Sequence, residues 1–97
     1  MWMTVVEGRV AQERWAEFER VFAAEPRPAA LHATFLLQSA SEPALWQTIG
    51  VWASREEFEA YRQSVPVPGA LAMFRAVGAE PAVRAFDVKD HYSVFGG

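Results

Sequence analysis

The side chains best suited to chemistry in this 97-residue sequence alternate along two predicted strands. A histidine could act as a general base toward a phenol near neutral pH, and a tryptophan offers a large ring with one N–H donor. Because side chains two positions apart point to the same side of a strand, four even-numbered residues should project together. They are His32, Thr34, Thr48 and Trp52. The pattern predicts a substrate pocket with His32 as candidate base and the other three as substrate contacts, provided that Gly50 introduces no bulge.

Aromatic side chains on the predicted helices should close this pocket. Tyr61 and Phe74 lie at helical spacing on the inward side of their helices, so both are also expected in the core. Arg62 and Arg84 could hold a substrate anion, although most arginines simply lie at the surface. Trp52 has an alternative role as an ordinary core or interface residue.

Several classes of site have no counterpart in the sequence. The chain has no cysteine, which excludes disulfides, thiolate metal sites and a cysteine nucleophile. The two histidines lie far apart without a flanking carboxylate pattern, and the glycines match neither dinucleotide-binding nor P-loop spacing. We therefore expect no metal and no cofactor.

The charge pattern argues against nucleic acid and membrane partners. The formal net charge is −3, and basic residues are interspersed with acidic ones, whereas a nucleic-acid-binding domain usually has a basic patch. No apolar run approaches the roughly 18 residues of a membrane span, and the N-terminus lacks the pattern of a signal peptide. We expect a cytoplasmic protein.

Hydrophobic periodicity predicts one ferredoxin-like domain over residues 1–97, with the order β-α-β-β-α-β. The predicted elements are strands at 2–10, 31–39, Leu45–Trp52 and 81–92, a helix at 11–24, and a second helix after Ser54 that is interrupted at 66–69. Ser54 and Glu57 form a capping box at the start of this second helix. Gly78 suits the left-handed conformation that ends it. Both helices should pack on one face of a four-stranded antiparallel sheet.

The other face of this sheet should also be apolar, because the alternation of polar and apolar residues is poor. We expect it to expose Leu36, Trp46, Trp52 and Trp2. Such a patch would exceed the few hundred Å² that soluble monomers tolerate. We therefore expect a homodimer formed through this sheet face about a two-fold axis.

Residues 46–61, WQTIGVWASREEFEAY, resemble a block of the antibiotic biosynthesis monooxygenase (ABM) domains, in which a strand ending in Trp leads into a helix that begins at Ser. The resemblance implies a dimeric α+β barrel with a pocket between the sheet and the helices of each subunit. Some members oxygenate polycyclic phenols without metal or flavin, and some degrade haem. The family pattern pairs Trp, here Trp52, with an Asn at the position of Thr48. The haem-degrading members add an Asn on the first strand, which this chain lacks, and a His at the position of Arg62.

Three hypotheses follow. The first is a cofactor-independent monooxygenase acting on a small phenol or quinone-type molecule. The second is a non-catalytic homodimer that binds a small hydrophobic or aromatic ligand or serves as an accessory protein, which the scarcity of titratable pocket residues favours. Haem binding or degradation is the least favoured.

Overall fold

The chain folds as four antiparallel strands with helices packed on one face, as predicted. The computed structural model describes residues 1–94. Its elements are β1 (Trp2–Arg9), a short 3₁₀ turn (Gln12–Arg14), α1 (Trp15–Ala24), β2 (Leu31–Gln38), β3 (Leu45–Trp52), α2 (Arg55–Ser64), α3 (Gly69–Ala76) and β4 (Ala82–Asp87). The strands are ordered β2-β3-β1-β4 in one sheet. This is the ferredoxin-like α+β arrangement. None of the helices within residues 1–94 has both the length and the apolar character that a membrane crossing requires.

Local signals set the ends of the helices. The Ser54 hydroxyl accepts the backbone N–H of Glu57 at 3.1 Å and so caps α2, as its sequence predicts. Gly78, with φ of 77°, ends the α3 segment in the left-handed region. The predicted last strand is too long, because β4 ends at Asp87. Within residues 1–94, β4 pairs with β1 alone, and β1 begins at Trp2 opposite Asp87. The Val88 N–H still donates to the Met1 carbonyl at 3.0 Å, and beyond it the chain has no residue of β1 left to pair with.

The core lies at one end of the sheet, between the sheet, α1 and α3. Phe18 and Phe74 are fully buried with ring centroids 4.7 Å apart, and Phe18 meets Trp46 edge-on at 5.6 Å. Gly8 lets α3 approach the sheet closely, because a Cβ there would lie 2.7 Å from the Phe74 ring. This end of the molecule is therefore filled by aromatic side chains.

The face assignment made from sequence is wrong. Trp46 and Trp52 are buried on the helix-covered side, and Leu36 packs against the core there, instead of lying on the open face. The open face carries the odd-numbered residues of the first three strands. Phe35 and Phe86 are 53% and 48% exposed on it. Alternation could not decide between the faces because both are apolar.

Candidate functional site

A cross-strand row of small residues forms the floor of the candidate site. The strand register places Thr34 opposite Gly50, Gly50 opposite Thr4, and Thr4 opposite Ala85 on the four neighbouring strands. None of these residues has a side chain large enough to reach the helices. The helix-covered face is therefore packed solid at the Phe18 end and left open at the Gly50 end.

The opening is a cavity of about 620 Å³ between the sheet, α2 and α3. Its size lies within the roughly 300–1,000 Å³ of small-molecule sites. Four prolines lie along its rim, in the segments that precede β2 and α3: Pro26, Pro28, Pro66 and Pro68. Because proline restricts the backbone, these segments form a stiff border.

One wall of the cavity is a stack of aromatic rings built on Trp52. The Trp52 ring stacks on Tyr61 with centroids 5.2 Å apart and meets Phe58 at 4.9 Å. Its indole N–H donates to the Thr4 hydroxyl at 3.0 Å. Tyr61 is held in turn, because its hydroxyl accepts the Gly69 backbone N–H at 2.9 Å. The wall is thus fixed at both ends by hydrogen bonds.

Gly50 is required by this arrangement. A Cβ at this position would lie 2.8 Å from Trp52 Nε1 and 2.9 Å from Thr4 Oγ1, so any side chain would disturb the hydrogen bond between them. The bulge considered for Gly50 is absent, since pairing with both neighbouring strands is regular there.

The irregularity lies instead in β2, at His32. The register shifts between Leu31 and Ala33, so that Leu31 stands opposite Trp52 and His32 is the extra residue. Leu31 lines the cavity, whereas His32 is exposed and does not. The prediction that His32 projects into the pocket is therefore wrong.

Of the other residues predicted from sequence to contact a ligand, most line the cavity and one does not. Thr34, Thr48, Trp52 and Tyr61 all line the cavity, as predicted. Phe74 does not, since it is buried in the core against Phe18, and its predicted ligand contact is wrong.

The two arginine candidates lie in different places relative to the cavity. Arg62 lies at the cavity, 3.6 Å from the Glu59 carboxylate. Arg84 lies away from it, 3.9 Å from the Glu7 carboxylate, with both residues on the open face of the sheet.

The three threonines of the whole sequence meet at this floor: Thr4, Thr34 and Thr48. Thr48 is only 3% exposed, yet its hydroxyl makes no hydrogen bond within residues 1–94. Thr34 is likewise without a hydrogen bond in the described part of the chain. Sequence reasoning missed Thr4, because its place at this floor depends on how β1 and β3 pair.

Charged side chains lie along the cavity with a small positive balance: Glu25, Arg27, Arg55, Glu59 and Arg62. Arg55 lies over the Trp2 ring at 5.1 Å, and Arg27 over Phe22 at 4.4 Å. Within residues 1–94, no group of His, Cys, Asp and Glu could hold a metal ion. The lining thus offers aromatic rings, threonine hydroxyls and arginine side chains as contacts for a small molecule.

Comparison with solved structures shows a shared fold. The chain superposes on a “putative antibiotic biosynthesis monooxygenase” from Deinococcus radiodurans with a TM-score of 0.72 and 11% identity, over 99% of this chain and 100% of the other. It also matches a point mutant of SnoaB, described as a cofactor-independent oxygenase from Streptomyces nogalater, with a TM-score of 0.64 and 22% identity, over 93% and 94% of the two chains.

A third similar structure is a point mutant of MhuD with two manganese protoporphyrin IX molecules bound per active site. Its TM-score is 0.73 and its identity 17%, over 96% of this chain and 99% of the other. Searches against protein-family models and curated protein sequences give no significant match. The chain thus has the ABM fold, at identities that carry no residue roles across.

Proposed function

We propose that this chain binds a small planar phenol in the cavity and oxygenates it without a cofactor. The observation that carries the proposal is the wall of Trp52, Phe58 and Tyr61 facing a floor of threonine hydroxyls. A flat ring can stack on the wall, while the hydroxyls bind its oxygen. The fold shared with SnoaB, described as a cofactor-independent oxygenase, supports this choice of chemistry.

The proposed reaction balances without an added reductant. A phenol carbon loses its hydrogen and gains one oxygen atom from O₂, and the second oxygen atom leaves as water. The phenol becomes a quinone and supplies all four electrons that O₂ accepts. The protein's part is to exclude water, hold the ring and stabilise the phenolate, because the phenolate is the electron-rich form.

1-Naphthol is a suitable probe, since its oxidation product would be 1,4-naphthoquinone. We expect binding to quench tryptophan fluorescence, and an oxygen electrode to record one O₂ consumed for each quinone formed. Trp52→Phe should weaken both, because it removes the indole from the wall. Trp15→Phe is the matched control, since Trp15 binds the Val10 carbonyl away from the cavity. A protein that binds no naphthol would contradict the proposal.

Binding without turnover is the second candidate. It is favoured by the position of His32 outside the cavity, because the lining then offers no imidazole to take the phenol proton. This alternative predicts the same fluorescence quenching without oxygen uptake above the uncatalysed rate. The oxygen electrode therefore separates the two candidates.

Haem is the least supported ligand, because the residues do not fit an iron site. None of the cavity-lining residues is His or Cys, and the Tyr61 hydroxyl already accepts the Gly69 N–H. We expect hemin titration to give no sharp Soret shift at a one-to-one ratio. A tight stoichiometric complex would contradict this expectation.

We further propose that the chain forms a homodimer through the open face of its sheet. Phe35, Leu37 and Phe86 are 40–53% exposed there, and Ile49 and Val51 lie between them. A second copy packed about a two-fold axis would cover the same patch on both subunits.

Sedimentation equilibrium at micromolar concentration tests the dimer. We expect twice the chain mass for the wild type and one chain mass for the Phe35→Lys/Phe86→Lys variant. Val67→Lys is the control, since Val67 is 41% exposed but lies outside the sheet. A wild type that stays monomeric would contradict the dimer.

A cytoplasmic location is proposed on the composition of the chain, which has no cysteine and an acidic balance. Cell fractionation with antibody detection would test it. Recovery in a secreted or membrane fraction would contradict it.

A further inference from the structure

We propose that Arg55 selects ligands that carry a carboxylate on their aromatic ring system. Arg55 begins α2 and lines the cavity, where it lies over the ring of Trp2. The inference rests on the proposed function and narrows its substrate class to hydroxyaryl carboxylic acids. In such a complex, the wall built on Trp52 holds the rings and the Arg55 guanidinium binds the acid group.

The contact between Arg55 and Trp2 leaves the donors of the guanidinium free. The Cζ atom of Arg55 lies 5.1 Å from the centroid of the Trp2 ring. Such a contact joins the positive charge to the face of the ring and uses none of the five N–H groups of the guanidinium. Within residues 1–94, these N–H groups make neither a hydrogen bond nor an ion pair. Glu56 and Glu57, the next residues of α2, do not line the cavity.

The other two arginines that line the cavity already have polar partners. Arg62 is paired with the Glu59 carboxylate at 3.6 Å. Arg27 donates to the Phe22 carbonyl at 2.7 Å. In the part of the chain that the structure describes, Arg55 is therefore the cavity-lining arginine whose donors have no acceptor.

Hydrogen-bond acceptors are scarce at this end of the cavity. The indole N–H of Trp2 is buried and has no acceptor within residues 1–94, although buried donors normally have one. Asp87 lies opposite Trp2 on β4 and is paired with Lys89 at 3.0 Å. Lys89 is the main cause of the lowered pKa of Asp87, and Arg55 is the least of the causes. A carboxylate supplies two acceptor oxygens, which match the fork of an arginine.

The spacing of the side chains places this arginine beside the aromatic wall. Arg55 and Phe58 lie three residues apart on α2, so their Cβ atoms are roughly 5–6 Å apart on the same side of the helix. On the sheet, Trp2 is the direct cross-strand neighbour of Trp52, whose ring meets Phe58 at 4.9 Å. The Arg55 and Trp2 pair is therefore the next step along the cavity from the Phe58 and Trp52 pair. A ring held against Trp52 can extend a carboxylate substituent to Arg55.

Two ligands of nearly the same shape and different charge test the assignment. At neutral pH the carboxyl group of 6-hydroxy-2-naphthoic acid is ionised, whereas 6-hydroxy-2-naphthamide is neutral. In isothermal titration calorimetry at low ionic strength, we expect the wild type to bind the acid about tenfold more tightly than the amide, as for a charge-assisted pair at a partly exposed site. Arg55→Met should remove this preference and leave the affinity for the amide unchanged, because methionine keeps an unbranched apolar chain over Trp2.

Two further variants separate a specific contact from a general effect of charge. Arg20→Met is the matched control, because it removes the same charge from α1 at a position that does not line the cavity, and it should keep the preference of the wild type. Arg55→Lys should show an intermediate preference, since lysine keeps the charge but lacks the fork. Arg55 is exposed and has no ion pair within residues 1–94, so its variants should fold normally, which circular dichroism would verify.

The outcomes distinguish the role of Arg55 from the proposed function. Equal affinity of the wild type for acid and amide would overturn the role of Arg55 and leave phenol binding standing. A preference for the acid that survives in Arg55→Met would also overturn it, and so would binding of 1-naphthol without binding of the acid. Failure of the acid, the amide and 1-naphthol to bind would overturn the proposed function and the role of Arg55 together.

Discussion

Two threonine-to-valine substitutions on the same face of the sheet should have opposite consequences for stability. Thr4 and Thr48 are both buried, at 7% and 3% exposure, and both lie on neighbouring strands of the cavity floor. Valine has nearly the same shape as threonine and suits a strand equally well. The two substitutions therefore differ mainly in the hydrogen bond that each hydroxyl makes.

The magnitudes follow from these hydrogen bonds. Thr4→Val leaves the buried Trp52 indole N–H without its acceptor, which should cost about 1–3 kcal/mol. Thr48→Val removes a hydroxyl that has no partner within residues 1–94, so stability should be unchanged or higher by up to about 1 kcal/mol. In a domain of this size, 1 kcal/mol shifts the melting temperature by roughly 4–8 °C.

Thermal unfolding followed by circular dichroism measures the difference. We expect Thr4→Val to melt at least about 4 °C below the wild type and Thr48→Val to melt at or above it. If Thr48→Val lost as much stability as Thr4→Val, the assignment of the Thr48 hydroxyl as making no hydrogen bond within residues 1–94 would be refuted.

Three further substitutions test separate parts of the site and fold. Gly50→Ala should destabilise the protein by about 1–3 kcal/mol and abolish phenol binding, because the added Cβ would crowd Trp52 and Thr4. Urea unfolding would measure the loss of stability, and fluorescence titration would measure the loss of binding. Tyr61→Phe should lower stability by about 1 kcal/mol, since it removes the acceptor of the Gly69 N–H, and faster exchange of that amide would confirm the cause. The hydrogen bond from Arg14 lowers the pKa of Glu17, so its stabilising effect is present at neutral pH and is lost as the carboxylate becomes protonated in acid. Urea midpoints of the wild type and Glu17→Gln should therefore differ at neutral pH and converge in acid.

Strand bounds and helix ends were predictable from sequence where neighbouring residues alone determine them. The bounds of β3, the Ser54 cap of α2 and the left-handed Gly78 all follow from residue type and spacing. The element order followed in the same way, because each change of hydrophobic period lies between turn residues.

Which side chains reach the candidate site depends on how the strands pair, and residue type alone does not specify that pairing. The extra residue at His32 moves that side chain out of the cavity, although the alternation of β2 gives no sign of it. Thr34, Thr48 and Trp52 were predicted to share a face from the alternation of side chains along their strands, and all three line the cavity. Thr4 could be placed beside Gly50 only once β1 was known to pair with β3.

Which face of the sheet the helices cover also depends on contacts between residues that are far apart in the sequence. Trp46 and Trp52 are large enough to be buried under helices, while Phe35 and Phe86 are large enough to form an interface. Hydrophobicity favours burial of both sets, and the packing of the helices on one face of the sheet separates them.

The central claim is that a flat aromatic molecule stacks on Trp52 in the cavity, and the indole N–H resonances test it most directly. The chain has four tryptophans, whose signals can be assigned by single Trp→Phe substitutions. On addition of 1-naphthol, the signals of Trp52 and Trp2 should shift, because both rings line the cavity. Those of Trp15 and Trp46, which lie outside it, should stay in place. Shifts confined to Trp15 and Trp46, or no shift at saturating naphthol, would contradict the account.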